Sequence, residues 1–282
     1  MNISTIEPRF VDWAAQQDDL RAAFIVGSQA RRDHPADPFS DLDIILFVRD
    51  VEVRYQDASW LQEIAPLWLS QMGHTVSGEP ERLALFAGGV QVDFVFHPVG
   101  VASQFQQMIA AGNIPGTIYR GTRVLFDKDG LLPVLPEPTP IPAVLPPTEA
   151  ELRQRLDSFW FSAVYCAKQL RRGELWLFQN GSAGMIWPLL QIIEWQARAA
   201  HGWDYDTWHA GKFIVEWADP EVYTTLQGVF ARMQADDGWR ALQVRLDLFH
   251  QIARKLAQAL EYPYPAVLEQ NILTCIREIK GA

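Results

Sequence analysis

Apolar residues in the first 130 positions come in short runs broken by polar turns, the spacing of strands in a sheet. The run Ala22-Ala23-Phe24-Ile25-Val26 stops at Gly27-Ser28. A polar loop follows, then Asp41-Leu42-Asp43 leads into a second apolar run over 44–48. This predicts strand, tight turn with a short helical start, loop and strand. Residues 90–97 read VQVDFVFH, a third strand whose only acid is Asp93. A helix is expected over 4–20, with Ser4 or Thr5 near its start, Pro8 in its first turn and Ile6, Phe10, Trp13 and Leu20 on one face. A second helix is expected over 57–72, kinked or shortened at Pro66. Residues 74–77 and 82–86 read as strands joined through Gly78-Glu79-Pro80, and Gly88-Gly89 turns the chain into the Asp93 strand. A helix over 101–111 and a short strand over 122–126 close this part.

The pattern then changes. Seven prolines fall between 131 and 147, a density that neither a helix nor a central strand tolerates. This segment is expected to be an extended, stiff linker. Beyond it Leu152, Leu156, Phe159, Ala163, Ala167 and Leu170 step by threes and fours, the helical period. Helices are expected over 149–171, 185–200, 220–233, 238–261 and 266–279, with Asn180-Gly181-Ser182 interrupting or opening one of them. The expected organisation is a first domain over 1–130, a linker over 131–148 and a helical domain over 149–282.

Composition narrows the partners. The chain has 282 residues, 49% hydrophobic, enough for one large or two ordinary cores. Its net charge of −10 argues against a nucleic-acid binder and suits a cationic ligand. Cys166 and Cys275 lie among apolar neighbours and read as buried thiols. No run reaches the ~18 apolar residues of a membrane span, so a cytoplasmic protein, monomer or homodimer, is expected. The six histidines offer no zinc-ligand spacing.

Alternation puts the side chains of Asp41 and Asp43 on the same face of their strand. Neighbouring carboxylates repel unless a cation lies between them, and Mg²⁺ is commonly held by one or two carboxylates together with substrate phosphates. The Gly27-Ser28 turn lets backbone amides approach a phosphate. Asp93, an acid in an apolar strand, needs a partner or a metal where it is buried. A Gly-Ser turn or an Asp-x-Asp alone says little; in this order between strands they predict a site for a metal–nucleotide complex.

Gly27-Ser28, Pro35, Asp37, Phe39, Asp41, Asp43 and Ile44, with Val92-Asp93 and the stretch 125–129, make up a pattern that resembles the aminoglycoside 6-adenylyltransferase (streptomycin adenylyltransferase) family of the nucleotidyltransferase fold. The resemblance implies an α+β architecture: a mixed sheet with flanking helices, then an all-α bundle. It implies transfer of AMP from ATP to a hydroxyl of a small acceptor such as an aminoglycoside, with pyrophosphate released. Asp41, Asp43 and Asp93 would be the catalytic, Mg²⁺-holding carboxylates, and Gly27, Ser28 and Arg31 would hold the triphosphate. Gln29 stands where the family usually carries Arg, so Arg31 or Arg32 would supply that charge. Lys212, in Ala-Gly-Lys-Phe, resembles a Gly-Lys element of the family's helical domain and would also reach the triphosphate. Asp204, Asp206 and Glu216, in an aromatic stretch, would bind the acceptor. Asn180 aligns with an acidic acceptor-site position, which leaves Asp93 or Glu194 as the base, or an acceptor other than streptomycin. The alternative is a nucleotidyltransferase-like module of the toxin–antitoxin type that binds nucleotide or modifies a protein; the long helical half favours a small acceptor.

Overall fold

A computed structural model of the chain describes residues 2–135, 137 and 141–281. Pro136, Pro138 and Pro140 of the expected linker lie outside the described residues. The chain divides into two compact units, Met1–Pro140 and Ile141–Ala282.

The first unit is built on a six-stranded mixed sheet. Helix α1 (Ile3–Ala15) starts at Asn2, whose Oδ1 accepts from the Thr5 amide, and it buries Ile6, Phe10, Trp13 and Ala14. It ends five residues before the expected limit, and Leu20 instead opens β1 (Leu20–Val26). Lys128 explains the early stop. Its Nζ donates to the Ala14 carbonyl at 2.8 Å and the Gln17 carbonyl at 2.7 Å, satisfying the helix end from a distant part of the chain.

A 3-10 turn (Gly27–Gln29) leads through the loop to β2 (Leu42–Val48), antiparallel to β1. The expected helix over 57–72 is not one element. Helix α2 (Val51–Gln56) precedes it, and α3 (Ser59–Ile64) and β3 (Leu67–His74) take its place. Asp57 accepts from the Ser59 amide in a turn that separates the two helices, and Pro66 cannot continue the helical ladder. Leu67 and Trp68 fall at helical spacing from Ile64 but belong to the strand, where pairing with β4 overrides the local period. Strands β4 (Pro80–Phe86) and β5 (Val90–Pro98) form the hairpin expected at Gly88-Gly89. Helix α4 (Ala102–Ala110) and β6 (Arg123–Asp127) complete the unit. The strand order is β3-β4-β5-β2-β1-β6. One face packs on α1 and α3, with Phe10 against Phe94 and Trp13 stacked on Trp60 at 5.1 Å. The other packs on α4 through Phe24, Phe47 and Phe105. Leu131, Leu132 and Leu135 also pack on this second cluster, so the start of the expected linker is part of the first unit.

The second unit is helical. Helix α5 (Glu149–Arg172) begins in a Thr148/Glu151 capping box and stops at Gly173, whose φ of 75° is left-handed. Helix α6 (Leu175–Gly181) ends where Asn180-Gly181-Ser182 was expected to interrupt, and α7 (Ala183–His201) follows. A short α8 (Ile214–Trp217) precedes the two helices expected next, α9 (Pro220–Leu226), shorter than the expected 220–233, and α10 (Ala235–Ala259). Helix α11 (Ala266–Gly281) is last. Phe159 of α5 stacks on Phe249 of α10 at the core. Buried Arg245 donates to the Val229 carbonyl at 2.6 Å and Ser182 Oγ at 2.7 Å, tying α10 to the start of α7. Cys166 is buried, Cys275 half-buried, and both are free thiols. Among the described residues, no helix is long and apolar enough to cross a membrane.

Candidate active site

The sheet brings the three expected carboxylates together. Strands β2 and β5 are parallel, and their pairing sets Asp43 directly beside Asp93. Asp41 lies two residues upstream of Asp43, at the mouth of the same strand. One oxygen from each of Asp41, Asp43 and Asp93 lies within 4.8 Å of the others. Three half-buried carboxylates at this spacing are an oxygen-donor set suited to a hard divalent cation.

Gly27 closes the fourth side. Its φ of 69° is left-handed, and a Cβ there would drive into the Asp43 carboxylate. Glycine is thus required twice, once by the backbone and once by the close approach of the acid. Ser28 is buried, and its Oγ donates to the Asp41 carbonyl at 3.5 Å, linking the turn to the loop that carries Asp41. The first amides of such a turn have no carbonyl of their own turn to bond. Arg31 Nε donates to the His34 carbonyl at 2.6 Å, so this guanidinium braces the motif loop.

Burial pushes the Asp93 carboxyl up to about 6, opposed by Gln91 and reinforced by the charges of Glu81 and Asp41. Gln91 Nε2 donates to Asp93 Oδ1 at 3.4 Å. Neither Gln91 nor Glu81 was among the sequence candidates. Gln91 was legible, since a residue two positions away on a strand shares its face. Glu81 was legible only through the hairpin, which pairs Leu83 with Asp93 and Glu81 with Val95.

A collision test isolates the glycine. Gly27→Ala is expected to weaken Mg²⁺-dependent ATP binding at least ~10-fold, about 1.4 kcal/mol. Gly130→Ala provides the matched control: its φ is 66° and an added Cβ meets nothing within 4 Å. Calorimetry with Mg²⁺ present compares the two; equal ATP affinity in both would mean that Gly27 contributes no more than a backbone angle.

The second unit gathers the expected acceptor acids. Asp204, Asp206 and Glu216 line one pocket of about 410 Å³, walled by His201, Tyr205, Trp208 and Trp217. The loop that shapes it is strained. Trp208, Ala210 and Phe213 all have left-handed φ angles between 52° and 54°, each costing ~1–3 kcal/mol. Asp206 Oδ1 accepts from the Trp208 amide at 2.8 Å and holds the turn. Lys212 is exposed on this loop, its carbonyl accepting from Trp217 Nε1 at 2.9 Å and its Nζ 5.8 Å from the Phe213 ring. Asn180 is exposed near the end of α6 and is not among the residues lining the pocket. Glu194 on α7 is half-buried, and burial pushes its carboxyl up to about 7 against the pull of Arg198.

Comparison with known proteins places the chain in a family. A sequence profile of the streptomycin adenylyltransferase family matches residues 3–279. An aminoglycoside 6-adenylyltransferase of Bacillus subtilis is 24% identical over 265 residues, covering 91% of this chain and 90% of that protein. Its namesake in Campylobacter jejuni is 23% identical over 278 residues, covering 96% and 93%. One from Staphylococcus aureus is 23% identical over 278 residues, covering 94% of each. The profile runs through the carboxylate cluster and on to the last helix, and the chain belongs to the streptomycin adenylyltransferase family of nucleotidyltransferases.

Proposed function

We propose that the protein transfers AMP from ATP to a hydroxyl of a cationic small molecule of the aminoglycoside class, releasing pyrophosphate. The observation that carries this reading is the convergence of Asp41, Asp43 and Asp93 beside the Gly27 turn. The acceptor class follows from family membership and from relatives named aminoglycoside 6-adenylyltransferases.

In the proposed reaction the acceptor oxygen attacks the α-phosphorus of ATP, the bond to the oxygen bridging toward the β-phosphate breaks, and pyrophosphate leaves. The backbone at Gly27 and Ser28 cradles phosphate oxygens, and Arg31 adds positive charge toward the triphosphate. Asp41, Asp43 and Asp93 would hold Mg²⁺, which when bound supplies the positive charge that offsets the attacking and leaving oxygens. The hydroxyl proton passes to a carboxylate whose protonated form the protein favours. Glu194 meets that condition through burial; Asp93 meets it only where it is not spent on the metal, its roles as third ligand and as base being alternatives.

The acidic pocket of the second unit is the proposed acceptor site. Asp204, Asp206 and Glu216 concentrate negative charge in one concavity, which attracts ammonium groups. Asp204→Asn and Glu216→Gln are each expected to raise the acceptor KM about fivefold, roughly 1 kcal/mol, with the ATP KM unchanged. Asp206→Asn is expected to do the same, and its amide oxygen can keep the turn bond to Trp208. Acceptor affinity is expected to fall as salt rises, since exposed charges are screened beyond about 8 Å at physiological ionic strength. Transfer to a neutral hydroxyl compound with no salt dependence, and none to aminoglycosides, would remove the cationic acceptor while leaving the adenylyl transfer intact.

A further inference from the structure

The sheet order leaves β3 and β6 at the edges. The two differ in chemistry. Strand β6 has five residues, with Arg123 and Asp127 at its ends, and Arg123 Nη2 bonds Glu7 at 2.7 Å. Strand β3 has eight residues, Leu67-Trp68-Leu69-Ser70-Gln71-Met72-Gly73-His74, with no Asp, Glu, Lys, Arg or Pro. It pairs with β4 alone. Near its far end the Tyr55 hydroxyl donates to the Gly73 carbonyl at 3.1 Å. Among the described residues, no backbone–backbone bond reaches 67–73 from beyond β4. Trp68, Leu69 and Met72 are 62%, 49% and 48% exposed.

An open edge of this kind is a template for another strand, and proteins blunt such edges with lysines, prolines or bulges. Here the one irregularity, between Leu67 and Leu69, falls at Trp68, and 69–74 pair regularly with 80–85. Charge and pattern select the occupant. The chain carries a net −10, and residues 1–130 hold 17 acids against 10 bases, so two copies repel over much of their surface. The uncharged β3 edge lets two copies meet without opposing like charges. Its sequence is also self-complementary. In an antiparallel pair centred on Ser70, Trp68 of one copy faces Met72 of the other, twice, and both sit on the same side of the strand. A sulfur–aromatic contact would form at each.

We propose that β3 is a homodimer interface, in which two copies pair edge to edge about a two-fold axis at Ser70 and join their sheets into one. The test is sedimentation equilibrium of the full chain. The wild type is expected at twice 32.0 kDa at micromolar concentration. Trp68→Lys or Met72→Glu alone should raise the dimer dissociation constant about 100-fold, through lost apolar contact and an unpaired charge. The two together should recover about tenfold of that loss, because each new cation then faces the new anion of the other copy. Val76→Lys, at a position 98% exposed beyond the strand end, should leave the dimer unchanged. Hydrogen exchange on the wild type reads the same contact without mutation: amides within 67–72 should exchange more slowly as concentration rises. A wild type of single-chain mass at about 100 µM, a scale on which even weak dimers form, overturns the proposal. So do single variants that stay dimeric, a double variant without recovery, or exchange that is independent of concentration.

Discussion

Asp43→Asn is expected to abolish adenylyl transfer and leave the protein folded. The side chain lies within 4.8 Å of both Asp41 and Asp93, and next to the Gly27 turn. The amide keeps the shape, so the turn still fits, but it removes the charge that a divalent cation needs from this position. Loss of several kcal/mol of charge stabilisation corresponds to about 10³-fold in rate. The fold should be unharmed, since one of three mutually repelling acids is gone. Circular dichroism paired with a pyrophosphate-release assay separates the outcomes: full turnover in a folded Asp43→Asn protein would remove Asp43 from the chemistry.

The second large effect is at Asp93, where stability and activity should move in opposite directions. Burial raises its carboxyl from the ordinary 3.8 to about 6, so the folded chain holds this proton more tightly than the unfolded one. The resulting stabilisation is present below the unfolded value and is lost as pH rises through about 6. At pH 7.5 without metal, the ionised Asp93 therefore costs stability, on the order of 1 kcal/mol after solvent screening is allowed for. Asp93→Asn removes that cost, so its metal-free Tm at pH 7.5 should exceed the wild type's by about 2 °C. Its transfer activity should be lost. In the wild type, Mg²⁺ affinity should fall up to tenfold per pH unit below about 6, because protons compete for the ligand. A lower Tm in metal-free Asp93→Asn, or Mg²⁺ affinity flat from pH 7 to 5, would contradict the assignment.

Both predictions rest on features whose legibility differed. Asp41, Asp43 and Gly27 were readable because they lie within one strand–turn–strand unit, where period-2 alternation and glycine chemistry act locally. Asp93 was readable as an acid out of place in an apolar strand. Its position beside Asp43 depends on a parallel pairing across an intervening 49 residues, which local pattern does not encode. Strand β3 was read as helix because Leu67 and Trp68 mimic a helical step from Ile64, and the ladder with β4 decided otherwise. The end of α1 was misplaced for a similar reason: its C-terminal carbonyls are capped by Lys128, over a hundred residues away. In the second unit, the acidic, aromatic composition of 203–217 marked the pocket, while the left-handed backbone at Trp208, Ala210 and Phe213 left no sign in residue type. Asn180 was aligned on the sequence match, and the helix end carries it outside the acidic pocket.

The most direct measurement is of the product itself. The protein is incubated with ATP, Mg²⁺ and an aminoglycoside such as streptomycin, and the acceptor is weighed by mass spectrometry with and without EDTA. The account predicts an acceptor heavier by one adenylyl group, with pyrophosphate formed in equal amount, and neither product with EDTA or in Asp43→Asn. Adenylylation that proceeds equally with EDTA, or that survives in Asp43→Asn, would contradict it.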